Sequence, residues 1–275
     1  MTHSNTQRQT SLEVLGIIED MPTLPDRFLR IQEVLDSDES TAQDLANIIQ
    51  TDQATAATLL KFANSPYYNP LNKPVGNLTY AISRLGRKET GDIALSMALL
   101  YGFAIPAGIH LIRKFWAHAY AVGQIGRHLA IHMPKQDQPD PDTIFMAALL
   151  HDIGRVILGM RVDMAYFEHA FASADGQILI DAEYQMYGLN HAEAGEITLR
   201  QWGMHPDICQ IVGEHHQLEN TTSATKICIL ADNFAHAHLK DINSIEDVQA
   251  KIQAGLFEQI TQTLRLSGVI PNSQA

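Results

Sequence analysis

Apolar residues recur at the spacing of an α-helix along almost the whole chain, and no convincing stretch alternates with the period of a β-strand. Phe28, Ile31 and Leu35 show this spacing near the start. The segment beginning at Ser40, and Asp52 further on, have the side chains typical of helix N-caps. Because a sheet needs strand patterns that are missing here, the sequence predicts an all-α protein.

The predicted helices fall into two blocks that meet near residue 105, so we expect an N-terminal helical lobe packed on a C-terminal one. The expected parts are an N-terminal extension over 1–20, the first lobe over 21–105, the second over 106–240, and a C-terminal helix and tail over 241–275. In the second block, helices are predicted over 108–132, 141–160, 163–173, 179–186, 190–202, 206–216, 223–238 and 245–265.

Charge and composition exclude several classes of partner. The chain has 19 Lys and Arg against 31 Asp and Glu, a formal charge of −12, which argues against a nucleic acid polymer as partner. Cys209 and Cys228 form no Cys-x-x-Cys pair and are expected to be buried, reduced thiols. The N-terminus lacks the apolar core of a signal peptide, and no apolar run is long enough to cross a bilayer. We therefore expect a cytoplasmic protein without a membrane partner.

The dipeptide His151-Asp152 follows an apolar run over 144–150 and precedes Gly154. An adjacent imidazole and carboxylate can ligate one divalent metal, and the carboxylate can bridge to a second. Gly154 leaves room for a substrate or for close approach of another helix.

Further ligand types occur on other predicted helices. Each has a plain structural alternative: a surface histidine, a first-turn residue after the N-cap Asn190, or histidines at a helix C-terminus. A carboxylate on an apolar helical face is the least expected, because it needs a partner. Taken together, their occurrence on separate helices favours a metal site over independent explanations. These residues are His118, His191, His215, His216 and Asp232.

Imidazole and carboxylate ligands without cysteine suit iron, manganese, zinc or nickel, and surplus ligands suit a two-metal centre that acts on a phosphate ester. His128 and His132 could form another pair, but they lie at a helix end beside a polar loop. The remaining histidines show no partner pattern and are not assigned; they include His110, His169, His205, His236 and His238.

The order His118, His151-Asp152, Asp232 resembles that of the HD-superfamily phosphohydrolases. Several segments narrow the resemblance to the HDOD domain, the HD-related output domain of bacterial signalling proteins, over roughly residues 20–240. They include Phe62-Ala-Asn-Ser-Pro-Tyr-Tyr68, Ala81-Ile-Ser-Arg-Leu-Gly86, Phe115-Trp-Ala-His118, Leu149-Leu-His-Asp-Ile-Gly154 and Glu214-His-His216. The resemblance implies that the second lobe is of the HD type.

The ligand pattern is also similar to that of HD-GYP phosphodiesterases, which cleave cyclic di-GMP. That similarity implies a metal ligand set of His118, His151, Asp152, His191, His215, His216 and Asp232. Three departures separate the chain from that group. Lys114 stands where three-metal enzymes have a glutamate, Arg155 replaces a lysine, and no Gly-Tyr-Pro follows His216. The resemblance therefore does not extend to cyclic di-GMP as substrate.

From this we expect an HDOD signalling protein with two divalent metal ions that hydrolyses a nucleotide-like phosphate ester. Asp152 would bridge the ions, while Arg155 and Lys114 would hold phosphate. The alternative is a non-catalytic signalling module with a structural metal, which contacts a signalling protein partner around Tyr67 and Tyr68. Those tyrosines could equally anchor a loop between the lobes.

Overall fold

The computed structural model describes residues 22–103, 108–161, 166, 176–217, 219 and 221–266. Every regular element within these residues is an α-helix, which confirms the predicted all-α class. The chain divides into two compact units, one comprising residues 23–104 and the other the chain from residue 105 onward together with Pro22. The expected extension over 1–20 lies outside the described residues.

The first unit is built from five helices around an aliphatic and aromatic core. Thr41 and Asp52 cap the second and third helices through their side chains, as the N-cap pattern predicts. Phe28, Ile31 and Leu45 are completely or almost completely buried. The helices are α1 (Asp26–Asp36), α2 (Ala42–Ile49), α3 (Gln53–Ala63), α4 (Leu78–Leu85) and α5 (Arg87–Gly102).

The second unit carries the candidate ligands. Its longest helix, α6 (Ile109–His132), packs against both α7 and α12, and its aromatic residues Trp116 and Tyr120 lie in the core. The helices that follow are α7 (Pro141–Leu150), α8 (Ile153–Arg161), α9 (Gly176–Tyr187), α10 (His191–Gln201), α11 (Pro206–Glu214), α12 (Ser223–His238), α13 (Ile245–Gln253) and α14 (Leu256–Leu266).

Two helices predicted as continuous are divided, and both predictions were wrong in this respect. The helix over 141–160 breaks at His151-Asp152, where the carbonyl of Asp152 accepts a hydrogen bond from the Arg155 N–H at 2.8 Å and starts a new helix. The helix over 245–265 breaks at Gly255, whose φ of +93° is incompatible with a continuing right-handed helix. Most of the helix predicted over 163–173 lies outside the described residues.

The expectation that no apolar run is long enough to cross a bilayer was wrong, because the segment Pro141–Met160 has the length and apolar composition of a membrane span. In the structure 89% of its most apolar stretch is buried inside the protein, which is the environment of core helices such as α7 and α8. The expected cytoplasmic location stays a prediction.

Candidate metal centre

His151 and Asp152 occupy the break between α7 and α8, and both side chains are buried. The close approach of α8 to α10 explains why a glycine, Gly154, lies two residues after Asp152. A Cβ on Gly154 would lie 1.8 Å from the carbonyl oxygen of His191. Of the two roles considered for Gly154, the structure supports close contact between helices.

The same kind of local hydrogen bond, from an imidazole to a backbone carbonyl, orients His151 and His215. Each histidine ends a helix, and its Nδ1 lies close to the carbonyl oxygen three residues earlier: 2.7 Å from Ala148 for His151, and 2.6 Å from Val212 for His215. Because a carbonyl oxygen only accepts, Nδ1 carries the proton and donates it. In its neutral form each imidazole therefore has its lone pair on Nε2, which faces the other candidate ligands.

His191 is oriented by a carboxylate instead. It is the first residue of α10, and the preceding Asn190 forms a capping box with Glu193 that fixes where this helix begins. The backbone N–H of His191 donates to Oε2 of Glu183 at 2.8 Å, and its Nδ1 donates to the same oxygen at 2.7 Å. Tyr166 donates to the other oxygen of Glu183 at 2.8 Å. Nε2 of His191 is thus also left with its lone pair.

The two oxygens of Asp152 face different histidines. Oδ2 lies 3.4 Å from Nε2 of His151, whereas Oδ1 lies 3.3 Å from Nε2 of His191 and 3.7 Å from Nε2 of His215. His216 joins this second side, since its Nε2 is 2.9 Å from Nε2 of His191. Because its two oxygens face separate groups of histidines, this carboxylate has the geometry needed to bridge two cations.

His118 and Asp232 meet across α6 and α12. Nε2 of His118 lies 2.9 Å from Oδ1 of Asp232, and Nε2 of His151 lies 3.6 Å from the same oxygen. His236, one turn after Asp232 on α12, places its Nε2 3.3 Å from that oxygen as well. This carboxylate therefore has three imidazoles around one of its oxygens.

All seven residues predicted as metal ligands come together, and their ligand atoms fall into overlapping groups. Within each group the atoms lie within 4.8 Å of one another, a spacing that one ion can span. Asp152 is common to the first two groups, and His118 to the last two. The groups are Asp152–His191–His215–His216, His118–His151–Asp152 and His118–Asp232–His236.

Two residues of the cluster were not predicted from the sequence. His236 was not assigned, although the Asp-x-x-x-His spacing from Asp232 to His236 places both on one helix face and could have identified it. Glu183 had no such signal, because only the approach of α9 to the start of α10 brings its carboxylate to His191.

Several buried polar atoms in the middle of this cluster have no hydrogen-bond partner among the described residues. They are Nε2 of His151, Nε2 of His215, and Oδ1 and Oδ2 of Asp152. Leaving a buried acceptor unsatisfied costs about 1–3 kcal/mol. Two are carboxylate oxygens and two are imidazole nitrogens, all directed toward one another, so a cation between them would satisfy them together in place of the proton on His151. The donor set therefore fits divalent metal ions.

The electrostatics of the cluster favour positive charge. Burial alone would raise the pKa of Asp152, but Arg155 and His151 hold this pKa well below its usual range. Burial opposes charge on His151 as well, yet Asp152 and Asp232 raise its pKa to about 9. Burial and neighbouring histidines lower the pKa of His215 and of His216, so both imidazoles are neutral at pH 7. Metals bind neutral imidazoles and ionised carboxylates, so a cation at this centre would displace the proton that the raised pKa keeps on His151.

The two residues predicted to hold phosphate differ in their surroundings. Arg155 is buried, with its Nε 3.0 Å from Oδ1 of Asp152, so its guanidinium holds the central carboxylate. Lys114 is exposed one turn before His118, and it forms no hydrogen bond or ion pair with the residues that the structure describes. A phosphate-binding role stays a prediction for both.

Comparison with known proteins identifies relatives over most of the chain. The sequence matches the HDOD domain family over residues 21–218. An uncharacterized protein of Treponema pallidum (strain Nichols) is 24% identical over 226 residues, which make up 81% of this chain and 43% of that protein. The chain therefore spans less than half the length of this relative.

Solved structures share the fold at identities below 25%. An HDOD domain protein of unknown function from Geobacter sulfurreducens has a TM-score of 0.68 and 22% identity, covering 96% of this chain and 95% of its own. A candidate signal transduction protein from Marinobacter aquaeolei VT8 has a TM-score of 0.66 and 18% identity, with coverage of 94% and 62%. A candidate phosphohydrolase from Shewanella amazonensis SB2B has a TM-score of 0.60 and 20% identity, with coverage of 94% for both chains.

Proposed function

Because this chain belongs to the HDOD domain family, we propose that its second unit is a metal-dependent phosphohydrolase that acts on a nucleotide-like phosphate ester. The observation that carries the proposal is the set of buried nitrogen and oxygen atoms of His151, Asp152 and His215 that point toward one another without forming hydrogen bonds to the described residues. Structural histidines that merely filled the core would have their nitrogens paired. The likeness to a candidate phosphohydrolase of the same fold supports the same class of activity.

We assign two divalent cations to this centre, on either side of Asp152. The first cation would be held by His118, His151, Asp152 and Asp232. The second would be held by Asp152, His191, His215 and His216. The imidazole and carboxylate donors suit iron, manganese, zinc or nickel.

Divalent cations held by these residues would supply Lewis acidity toward a phosphate ester and would lower the pKa of a bound water molecule. The chain's own residues prepare the centre for this chemistry. Arg155 and the surrounding histidines fix the carboxylate of Asp152 between the two proposed cation positions. Glu183 keeps the Nε2 lone pair of His191 directed at the second side.

The substrate would approach from the side of His118 and Asp232, because these side chains are partly exposed while those of His151 and His191 are buried. Lys114 lies one helical turn from His118 and has no partner among the described residues, so it is available to bind a phosphate oxygen that reaches this side. The substrate in this proposal is a phosphate ester of nucleotide type.

The test is turnover of a panel of nucleotide phosphodiesters and phosphomonoesters by the metal-loaded chain. We expect hydrolysis of at least one substrate by the wild type and none above background by the Asp152→Ala variant. Metal bound at two equivalents without any turnover beyond that of the variant would contradict the enzymatic proposal.

One observation favours a second candidate, a non-catalytic signalling module with a structural metal. Arg155, which could clamp a phosphate, is committed to Asp152 instead. In such a module the first unit would bind a signalling protein, and Tyr67 offers a 59% exposed ring beside Tyr68 for this. The same turnover panel separates the two candidates, since the module retains its metal but hydrolyses nothing.

A further inference from the structure

His236 extends the ligand cluster toward solvent. Its Nε2 lies 3.3 Å from Oδ1 of Asp232, and its ring centroid is 4.5 Å from that of His118. The three ligand atoms lie within 4.8 Å of one another, so they meet the spacing requirement for one cation. This group is a third position, outside the two assigned to the buried centre.

Exposure rises steadily from the buried centre to this group. The side chains of His151 and Asp152 are 1% and 2% exposed, those of Asp232 and His118 are 13% and 17% exposed, and that of His236 is 39% exposed. A hydrated cation arriving from solvent therefore meets His236 before it can reach His151. An ion held here would still keep part of its water shell.

The outer and inner positions share His118, and this limits their joint occupation. A neutral imidazole nitrogen has one lone pair and binds one cation at a time. When His118 ligates an ion beside Asp232 and His236, it is lost to an ion beside His151 and Asp152. The two positions are therefore alternatives for one cation, which passes between them by a short move from one side of His118 and Asp232 to the other.

Resting on the proposed metal centre, we propose that His118, Asp232 and His236 form a loading position, at which a divalent cation binds transiently on its way into and out of the buried centre. Each ligand of this position replaces one water of the incoming ion, so dehydration is divided into smaller steps. By microscopic reversibility the same position assists release. His236 acts on both rates and leaves the final equilibrium unchanged.

The test uses the full chain, stripped of metal by a chelator that is then removed, with Co²⁺ as the probe. Visible absorption of bound Co²⁺ follows loading after rapid mixing, and excess chelator then starts release. His236→Gln is compared with wild type and with His238→Gln, a matched variant of an exposed histidine on the same helix that belongs to no ligand group. We expect all three proteins to bind two equivalents with equal affinity. His236→Gln should slow loading and release of one ion by the same factor, roughly tenfold, which corresponds to about 1.4 kcal/mol on the shared barrier.

Three results would overturn the loading position while leaving the two-metal centre intact: wild-type rates in His236→Gln, equal slowing in His238→Gln, or faster release with weaker affinity in His236→Gln. The last would make His236 a permanent ligand. Failure of wild type to bind Co²⁺ at all would overturn both this inference and the proposed function.

Discussion

Oε2 of Glu183 accepts a hydrogen bond from Nδ1 of His191 at 2.7 Å, and both side chains are completely buried. The contact determines which nitrogen of His191 carries the proton, and so which nitrogen can bind a metal. A carboxylate behind a histidine ligand also increases the basicity of its imidazole. Glu183 is therefore a positioning residue for the second cation, although it touches no ion itself.

The first prediction concerns this carboxylate. Glu183→Gln removes the charge behind His191 and should weaken binding of the second cation by about 10- to 100-fold. Competition with a chromophoric chelator measures both affinities, and the first cation should be much less affected. Glu196→Gln is the matched control, because Glu196 lies on the same helix as His191 but pairs with the exposed Arg200. Unchanged affinity in a folded Glu183→Gln protein would contradict the assigned role.

The second prediction concerns the contact of α8 with α10. A Cβ on Gly154 would lie 1.8 Å from the carbonyl oxygen of His191 and 2.8 Å from the backbone nitrogen of Gly195, so helices rather than side chains must move. Overfilled contacts cost about 1–3 kcal/mol, sometimes more. Gly154→Ala should therefore lower the melting temperature by roughly 5–10 °C. Gly76→Ala, where a Cβ meets nothing within 4 Å, should melt within about 2 °C of wild type. Equal melting of both variants would refute this account of Gly154.

The third prediction concerns pH and a histidine outside the ligand groups. Burial and the neighbouring His132 lower the pKa of His128 to about 4, from about 6.5 in the unfolded chain. Between these values the unfolded state binds more protons, so stability falls as pH decreases from 6.5 toward 4. His128→Gln removes this proton-binding difference. Its melting temperature should drop less than that of wild type between pH 7 and pH 5. A drop as large as that of wild type would mean that other groups control this pH range.

The fourth prediction concerns metal removal. A ligand that binds only the folded state at 100 times its dissociation constant stabilises it by about 2.7 kcal/mol. Removing Mn²⁺ with a chelator should therefore lower the melting temperature of the loaded wild type by several degrees. The shift should be much smaller in Asp152→Asn, which keeps the shape of the bridging side chain without its charge. A chelator shift of the same size in both proteins would place the stabilising ion elsewhere.

Most helix boundaries were predictable because short-range chemistry determines them. The helix expected over 223–238 is observed as Ser223–His238, capped by the side chain of Thr222. The break at His151-Asp152 was not predictable in this way, since the apolar spacing continues from 144 through 158 without a glycine or proline at the break. It depends on how α8 meets α10 in the folded unit, which local sequence does not encode.

The residues of the candidate site likewise divide into those that the sequence could identify and those that it could not. His118, His151 and Asp232 could be identified because their residue types were unusual in apolar helices, and the structure brings them within reach of one another. Glu183 could not, because its partner His191 comes from another helix and nothing near it in sequence marks it as special.

In the proposed centre Asp152 bridges two cations, and anomalous X-ray diffraction at the metal edge from crystals of the Mn²⁺-loaded chain tests this directly. We predict two anomalous peaks, one on each side of the Asp152 carboxylate. One peak should lie near Nε2 of His151, and the other among Nε2 of His191, His215 and His216. A single peak, or none at this carboxylate, would contradict the two-metal centre.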